Sequence, residues 1–565
     1  MRPSHADVIL RNAAVWTVDP YQPWAQAVAV SGDRITYVGD DFGVRELQGP
    51  DTRVVDLNGK MVVPGFISGH DHLVGSGWAK LGVDLSRARD LEELLALVGD
   101  HARSHPDARV VKGFGWSWNQ TGVHPTAAML DAVVSHRPVA LMNADVHDCW
   151  FNTRALQLGG IDEHTPDHAS GGHWLRDERG VPDGVGIEGA YVQAYAGCGA
   201  FEGEATFREA LDMMLRIAGR GGLTSAVDMG VITPTIVGTP QEDAAFAYRA
   251  CAALDDEGGL PLRVYGTFAV HRTPGFLVPP DEAMALLGQY HRDIRSAHVG
   301  VDALKLYADG TAPGHTGCLL DPYADGEDVD MDAVGVSTDW LVSYIEPAHL
   351  AGFDVFTHCD GDGAVRRMID ACERVLRVHG RGERRHSVEH CDAVHPDDIP
   401  RMARLGLQGN GTPVWSVPWP WRETYLRVYG ERRLEERVMP YRRILDAGVP
   451  FTLGADMPGV QPYETMPLYE ITAAVTQENP GMTGLEPVPG AESRKWALTD
   501  AIRSYTLMGA YKMRREHELG SITPGKLADL VVLGENLFAV DPHDIWQVPV
   551  EATMMDGSFT HEVLS

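Results

Sequence analysis

Positive charge is what this chain has least of. Its 48 lysines and arginines face 79 aspartates and glutamates, and only seven of the 48 are lysine. A formal charge of −31 argues against nucleic acid as a partner, because neutralising phosphates needs clustered lysine and arginine, and against an anionic membrane surface. Cysteine is also sparse: seven residues, odd in number and never in CxxC pairs. No disulfide framework is expected, and a reducing, cytoplasmic setting is. No run of about 18 apolar residues occurs, so no membrane-spanning helix is expected. The stretch from Met1 to Val30 lacks the basic-then-apolar signature of a signal peptide. Low-complexity segments and repeats are missing as well.

What is present is an ordinary globular composition, 44% hydrophobic and 22% charged, over 565 residues. That length calls for several domains or one barrel with additions. Short β-rich runs with turn signals fill both ends of the chain, at 6–18, 25–30, 35–38 and 53–57, then again at 528–533 and 551–555. These predict one composite β-sandwich built from residues 1–62 and 512–565. Between them strands and amphipathic helices alternate. Strands are predicted over 222–230, 262–268, 301–307, 353–358, 386–390, 406–409 and 449–456, and the apolar run that reaches His72 makes eight. Eight such units close into a (β/α)8 TIM barrel, here spanning 63–511. The gap between His72 and Gly222 is too long for one crossover, so residues from about 76 to 218 are read as a large insertion after the first strand.

Chemistry in such barrels sits at the carboxyl ends of the strands. His70 and His72 are two apart at the end of the first, and residues two apart in a strand face the same way. Lys305 lies near the end of the fourth strand, His358 ends the fifth, His390 the sixth and Asp456 the eighth. Imidazoles, a carboxylate and a lysine are the donor types that hold a pair of divalent ions. Lys305 is flanked by Ala303, Leu304, Leu306 and Tyr307. Desolvation favours its neutral amine, and a neutral amine can take up carbon dioxide to give N6-carboxylysine, an anionic ligand able to bridge two cations. His386 shares the face of His390 but lies four residues earlier, about 13 Å lower at about 3.3 Å per residue, and is excluded. Trp116, Trp118, His147 and Trp150 of the insertion, and Trp415, Trp419 and Trp421 after the seventh strand, are candidates to line the mouth for an apolar or aromatic small molecule. Substrate contacts are expected from Trp116, His147, Asp309 and His315.

Taken together, Val63-Pro64-Gly65-Phe66-Ile67 leading into His70-Asp71-His72, Lys305 before Tyr307-Ala308-Asp309-Gly310, the His358 strand, Ser387-Val388-Glu389-His390, Gly454-Ala455-Asp456 and the closing segment 520–533 resemble the amidohydrolase superfamily. The insertion, with Gly113-Phe114-Gly115-Trp116 and Asp145-Val146-His147, resembles the subgroup that contains N-substituted formamide deformylase (amidohydrolase family 3). The resemblance implies a distorted barrel carrying the composite sandwich, zinc or a similar ion, and a homodimer. It implies His70, His72 and Asp456 on an inner ion, His358 and His390 on an outer one, and carboxylated Lys305 between them. Ser68 stands where the family often has aspartate, which is expected to change hydrogen bonding around the ligands rather than abolish binding. The expected function is hydrolysis of a C–N bond in an amide or formamide by hydroxide generated at the ions, with Asp456 as general base and then general acid. The alternative is a mononuclear deaminase, or a hydrolase of a cyclic amide or ester on the same fold. Deaminases of this fold need a glutamate soon after the fifth-strand histidine, and Cys359-Asp360-Gly361-Asp362 follows here.

Overall fold

The computed structural model describes residues 5–144, 146, 148–167, 172–231, 233–271, 277–418, 422–457, 466–482 and 484–564. The apolar run before His70, read above as one strand, is two. Met61–Pro64 pairs in parallel with Ala14–Trp16 and antiparallel with Leu530–Leu533, whereas Phe66–Asp71 opens a different, eight-stranded parallel sheet. The break falls at Gly65, where any side chain would collide with Thr224. A residue without Cβ lets the chain cross between sheets at close quarters.

The eight-stranded sheet is a nearly closed barrel in chain order: β1 Phe66–Asp71, β2 Leu223–Asp228, β3 Arg263–Val270, β4 Val299–Tyr307, β5 Asp354–Cys359, β6 Ser387–His390, β7 Gln408–Gly411 and β8 Phe451–Leu453. Its register sets the rim: Lys305 lies opposite Phe356, Tyr307 opposite His358, and Cys359 opposite His390. Strand β8 is shorter than the sequence predicts, and Asp456 lies three residues beyond it. The helices that return the chain bury one apolar stripe each. In Asp362–His379 that stripe is Val365, Met368, Ile369, Cys372 and Val375, at the 3–4 residue spacing of a helix face. Pro240–Asp256 starts from a Thr239/Glu242 capping box with proline in the first turn.

Between β1 and β2 the chain builds a separate six-stranded sheet, ordered Trp174–Arg176, Pro182–Ile187, Asp148–Phe151, Val139–Asn143, Val111–Trp116, Val83–Asp84. At the other end of the molecule, Met61–Pro64, Ala14–Trp16 and Trp24–Ala25 share a sheet with Leu530–Leu533, Val550–Met555 and Ser558–Glu562. A four-stranded sheet of N-terminal strands packs on it, and Leu10, Val28, Val30, Val62, Leu530, Val532 and Met554 fill the space between. Among the described residues no helix is long and apolar enough to cross a membrane.

Arg263 at the start of β3 clips the C-terminal strands to the barrel. Its side chain is 2% exposed and pairs with both Asp529 and Asp556. Removing one member of a buried ion pair strands the other charge, at a cost of about 3–5 kcal/mol, whereas replacing both with apolar groups recovers much of it. Arg263→Met is therefore expected to lower the urea midpoint substantially, and Arg263→Met with Asp529→Leu to restore part of the loss. An unchanged midpoint in the single variant would contradict this account of the clip.

Candidate metal centre

The six candidate ligands, drawn from five barrel strands and the segments that follow them, meet at one rim. The Nε2 atoms of His70 and His72 lie 3.3 and 3.6 Å from Asp456 Oδ1, and one ligand atom from each of these residues falls within 4.8 Å of the others. Lys305 Nζ is 3.3 Å from His70 Nε2. His390 Nδ1 is 3.7 Å from Asp456 Oδ2. The His390 ring lies 4.5 Å from the ring of His70 and 4.4 Å from that of His358.

Each imidazole is aimed by what its other nitrogen does. His70 Nδ1 is 2.6 Å from Glu389 Oε2, and the two oxygens of Glu389 accept from Lys512 Nζ at 2.7 and 2.9 Å. His72 Nδ1 donates to the Gly230 carbonyl at 2.7 Å. Both rings therefore present Nε2 to Asp456, the arrangement by which outer hydrogen bonds fix a ligand's tautomer. His358 donates from Nε2 to the Gly310 carbonyl at 3.0 Å, which leaves Nδ1 for a ligand. His390 Nδ1 is buried with no hydrogen-bond partner among the described residues.

Backbone strain collects at the same place. His390, Cys391 and Asp456 have φ of 69°, 51° and 51°, a region that residues with a side chain avoid and that persists only where surrounding structure enforces it. At Asp456 the enforcement is visible. Its N–H donates to the His70 carbonyl at 3.1 Å, Met457 N–H donates to Asp71 Oδ1 at 2.8 Å, and His72 N–H donates to the Met457 carbonyl at 3.1 Å. Ser68 donates to Asp71 Oδ2 at 2.6 Å and so braces the carboxylate that holds Met457.

The electrostatics suit cation binding. Burial pushes the imidazole of His72 down to about 4 and that of His358 to about 3, and it holds His390 well below the usual histidine range. These rings stay neutral, the form that ligates metal. Burial also lowers Lys305 to about 8, against the pull of the Glu389 and Asp456 carboxylates. For Asp456 burial works the other way, yet His70, His72 and Lys305 outweigh it and keep the carboxyl below the usual carboxylate range. Neutral imidazoles, an ionised carboxylate and an orphaned ring nitrogen at one point fit a divalent cation site.

The remaining expectations divide. Trp116 is fully buried in the core of the insertion, its indole N–H donating to the Leu141 carbonyl at 2.8 Å and its ring against Trp118 and Trp150. The expected substrate contact at Trp116 is corrected: the ring packs the insertion. Asp309 is likewise committed, accepting the N–H groups of Cys318, Asp360 and Gly361 at 2.8, 3.0 and 2.9 Å. It ties the segment after β4 to that after β5 and is spent on backbone rather than substrate. His315 bonds to Asp325 Oδ2 at 2.9 Å and packs on Tyr323, so it too is engaged within the protein. His147, Trp419 and Trp421 lie outside the described residues. His386 is away from the rim, taking the Val355 N–H at 3.1 Å and contacting His349. Sequence reasoning missed Glu389, which bonds His70, and Lys512, which bonds Glu389. The sequence held only a partial signal, a glutamate beside a rim histidine and one of seven lysines, and the structure shows both fully buried.

The sequence pattern of the amidohydrolase family (Amidohydro_3) matches residues 53–561. The chain belongs to this family. N-substituted formamide deformylase of Arthrobacter pascens is 28% identical over 562 residues, 98% of either chain. YtcJ of Bacillus subtilis strain 168 is 28% identical over 548 residues, 95% of this chain and 96% of that one. An uncharacterized metal-dependent hydrolase from Pyrococcus horikoshii has the same fold, with a TM-score of 0.72 at 22% identity over 95% of this chain and 99% of that one.

Lowered imidazole values carry a sign. A ring whose pKa falls keeps its lone pair for metal to a lower pH, so protons do not compete in the ordinary histidine range of about 6.5. Dialysis at stepped pH, read by metal analysis, is expected to show release beginning only as pH nears about 4, where His72 takes a proton. Half-release near the ordinary range would contradict the desolvated site.

Proposed function

We propose that this amidohydrolase-family protein hydrolyses a C–N bond in a small amide or formamide, using two divalent ions, zinc by donor type, and Lys305 carboxylated on Nζ. The observation that carries the reading is the meeting of His70, His72, Lys305, His358, His390 and Asp456 at one rim. The printed activity of the Arthrobacter pascens relative supports the formamide class.

As an ammonium, Lys305 sets a buried positive charge 3.3 Å from the ligand nitrogen of His70, which opposes cation binding. The lowered pKa of about 8 leaves free amine near neutral pH. The ammonium first loses one proton, then the amine's lone pair adds to carbon dioxide and a second proton leaves, so the charge at that point changes from +1 to −1 and an anionic donor replaces a repulsive one.

Divalent ions bound at this rim polarise a carbonyl and make water acidic enough to lose a proton near neutral pH. Asp456, ionised and held between the histidines, takes that proton and later delivers it to the leaving nitrogen. His70 and His72, fixed through Glu389 and the Gly230 carbonyl, hold Asp456 Oδ1 beside their Nε2 atoms. His358 and His390 supply further donors beside His70 and Asp456.

A panel of formanilides, N-acyl amino acids, lactams and aryl esters given to metal-analysed protein separates amide hydrolysis from its cyclic and ester variants. Asp456→Asn is expected to keep the fold and lose about 100- to 10,000-fold in turnover, the scale of general acid–base catalysis; unchanged turnover would remove Asp456 from the proton path. Lys305→Ala is expected to lose bound metal and to recover part of it, with activity, in added acetate or propionate. Full metal content without rescue would contradict the carboxylated lysine.

A further inference from the structure

A row of rings runs along the rim from β3 to β7. The His271 ring lies 4.7 Å from that of Tyr307, Tyr307 lies 5.5 Å from His358, His358 lies 4.4 Å from His390, and His390 stacks on Trp415 at 5.8 Å. Tyr307 is two residues after Lys305 on β4, so both side chains leave the strand on the same face, and Lys305 Nζ sits 4.9 Å from the centre of the Tyr307 ring. The phenol thus stands beside the bridging lysine and the His358–His390 pair at once.

Its hydroxyl is buried and has no hydrogen-bond partner among the described residues. His390 Nδ1 and Trp415 Nε1 in the same row are likewise without a partner among the described residues, whereas three other buried tyrosines are bonded. Tyr248 donates to Asp228 at 2.7 Å, Tyr323 to the Gly317 carbonyl at 2.8 Å and Tyr441 to Asp392 at 3.0 Å. Tyr505, a second buried phenol without a partner among the described residues, packs edge-on against Phe66 at the opposite end of β1. A buried donor left unpaired costs about 1–3 kcal/mol, and such a group at a functional rim calls for a ligand to satisfy it. The ligand must be an acceptor, because a phenol, with an ordinary pKa of about 10, keeps its proton near neutral pH and has that O–H to donate.

We propose that the Tyr307 hydroxyl donates a hydrogen bond to the oxygen of the scissile carbonyl, and is a catalytic residue of the amide hydrolysis inferred above, on which this assignment rests. When water oxygen bonds to the carbonyl carbon, the C=O π pair moves onto that oxygen, and the phenol O–H holds the developing charge without giving up its proton. The pair then returns, the C–N bond breaks, and nitrogen leaves with the proton carried by Asp456. The donor is placed before the reaction starts, so it costs no reorganisation when the charge appears.

The test compares wild type with Tyr307→Phe, both loaded with zinc and checked by metal analysis, on the best amide of the panel, and measures binding of methylphosphonate and phenylphosphonate by calorimetry. Equal metal content is expected, with kcat and kcat/KM lower by about 100- to 1,000-fold and KM little changed, as for loss of one oxyanion donor. Phosphonate affinity is expected to fall about ten- to a hundredfold, the scale of a hydrogen bond to a charged group. Equal kcat and equal phosphonate affinity in the two proteins would overturn the Tyr307 assignment while amide hydrolysis stands. A loss of metal in the variant would overturn it too, by showing that the phenol only packs the ligands. A fully loaded wild type idle on every amide would overturn the amide-hydrolase reading and this assignment with it.

Discussion

Closing the barrel and assembling the ligand set are one event. Strands β1 and β8 end the sheet order and are joined at the rim by the bonds from Asp456 to the His70 carbonyl, from Met457 to Asp71 and from His72 to Met457. Those bonds press Asp456 into a left-handed backbone conformation and set its carboxylate between two imidazoles. They form only if the strands come very close, and two glycines permit it. A Cβ at Gly454 would strike the His70 carbonyl, and one at Gly69 would strike Thr452. Loosening this seam would open the sheet and scatter the donors together.

The same seam explains why the side chains of His70, His72, Lys305 and His390 are buried. Packing that holds the rim together also strips water from the histidines and Lys305, which shifts the imidazoles to their neutral form and the amine toward neutrality. One charged pair is retained at depth, Glu389 with Lys512. Burial opposes ionisation of Glu389, but Lys512 and His70 outweigh it and keep the carboxyl below its usual range. The glutamate stays an acceptor for His70 Nδ1 and the ring stays aimed. A buried pair of this kind adds little to stability; its contribution here is orientation.

Barrel order and the meeting of six polar side chains at one rim could be read from the sequence because both follow local rules: apolar runs of strand length, and polar residues where those runs stop. The predicted strand over 301–307 and its Lys305 survive with a start two residues earlier. The rule failed where a contact distant in sequence decides. Nothing local in 61–72 says that Gly65 divides two sheets, because the reason is Thr224 on β2. Trp116 looked like a mouth residue since large aromatics occur there, but the sheet of the insertion needed that ring for its own core. Asp309 and His315 were legible as polar residues after the lysine and not as spent ones, since their partners Cys318, Asp360, Gly361 and Asp325 are fixed only by loop paths. Glu389 was quoted within its motif without a role, because its partner Lys512 lies 123 residues away.

The central claim is that donors far apart in the chain surround a pair of cations at the carboxyl end of one barrel. Anomalous scattering at the zinc edge from crystals of metal-loaded protein tests it most directly. The account predicts two peaks, one among His70, His72 and Asp456 and one between His358 and His390, with density for a carboxylated Lys305 reaching both. Peaks elsewhere, or a rim without any, would contradict it.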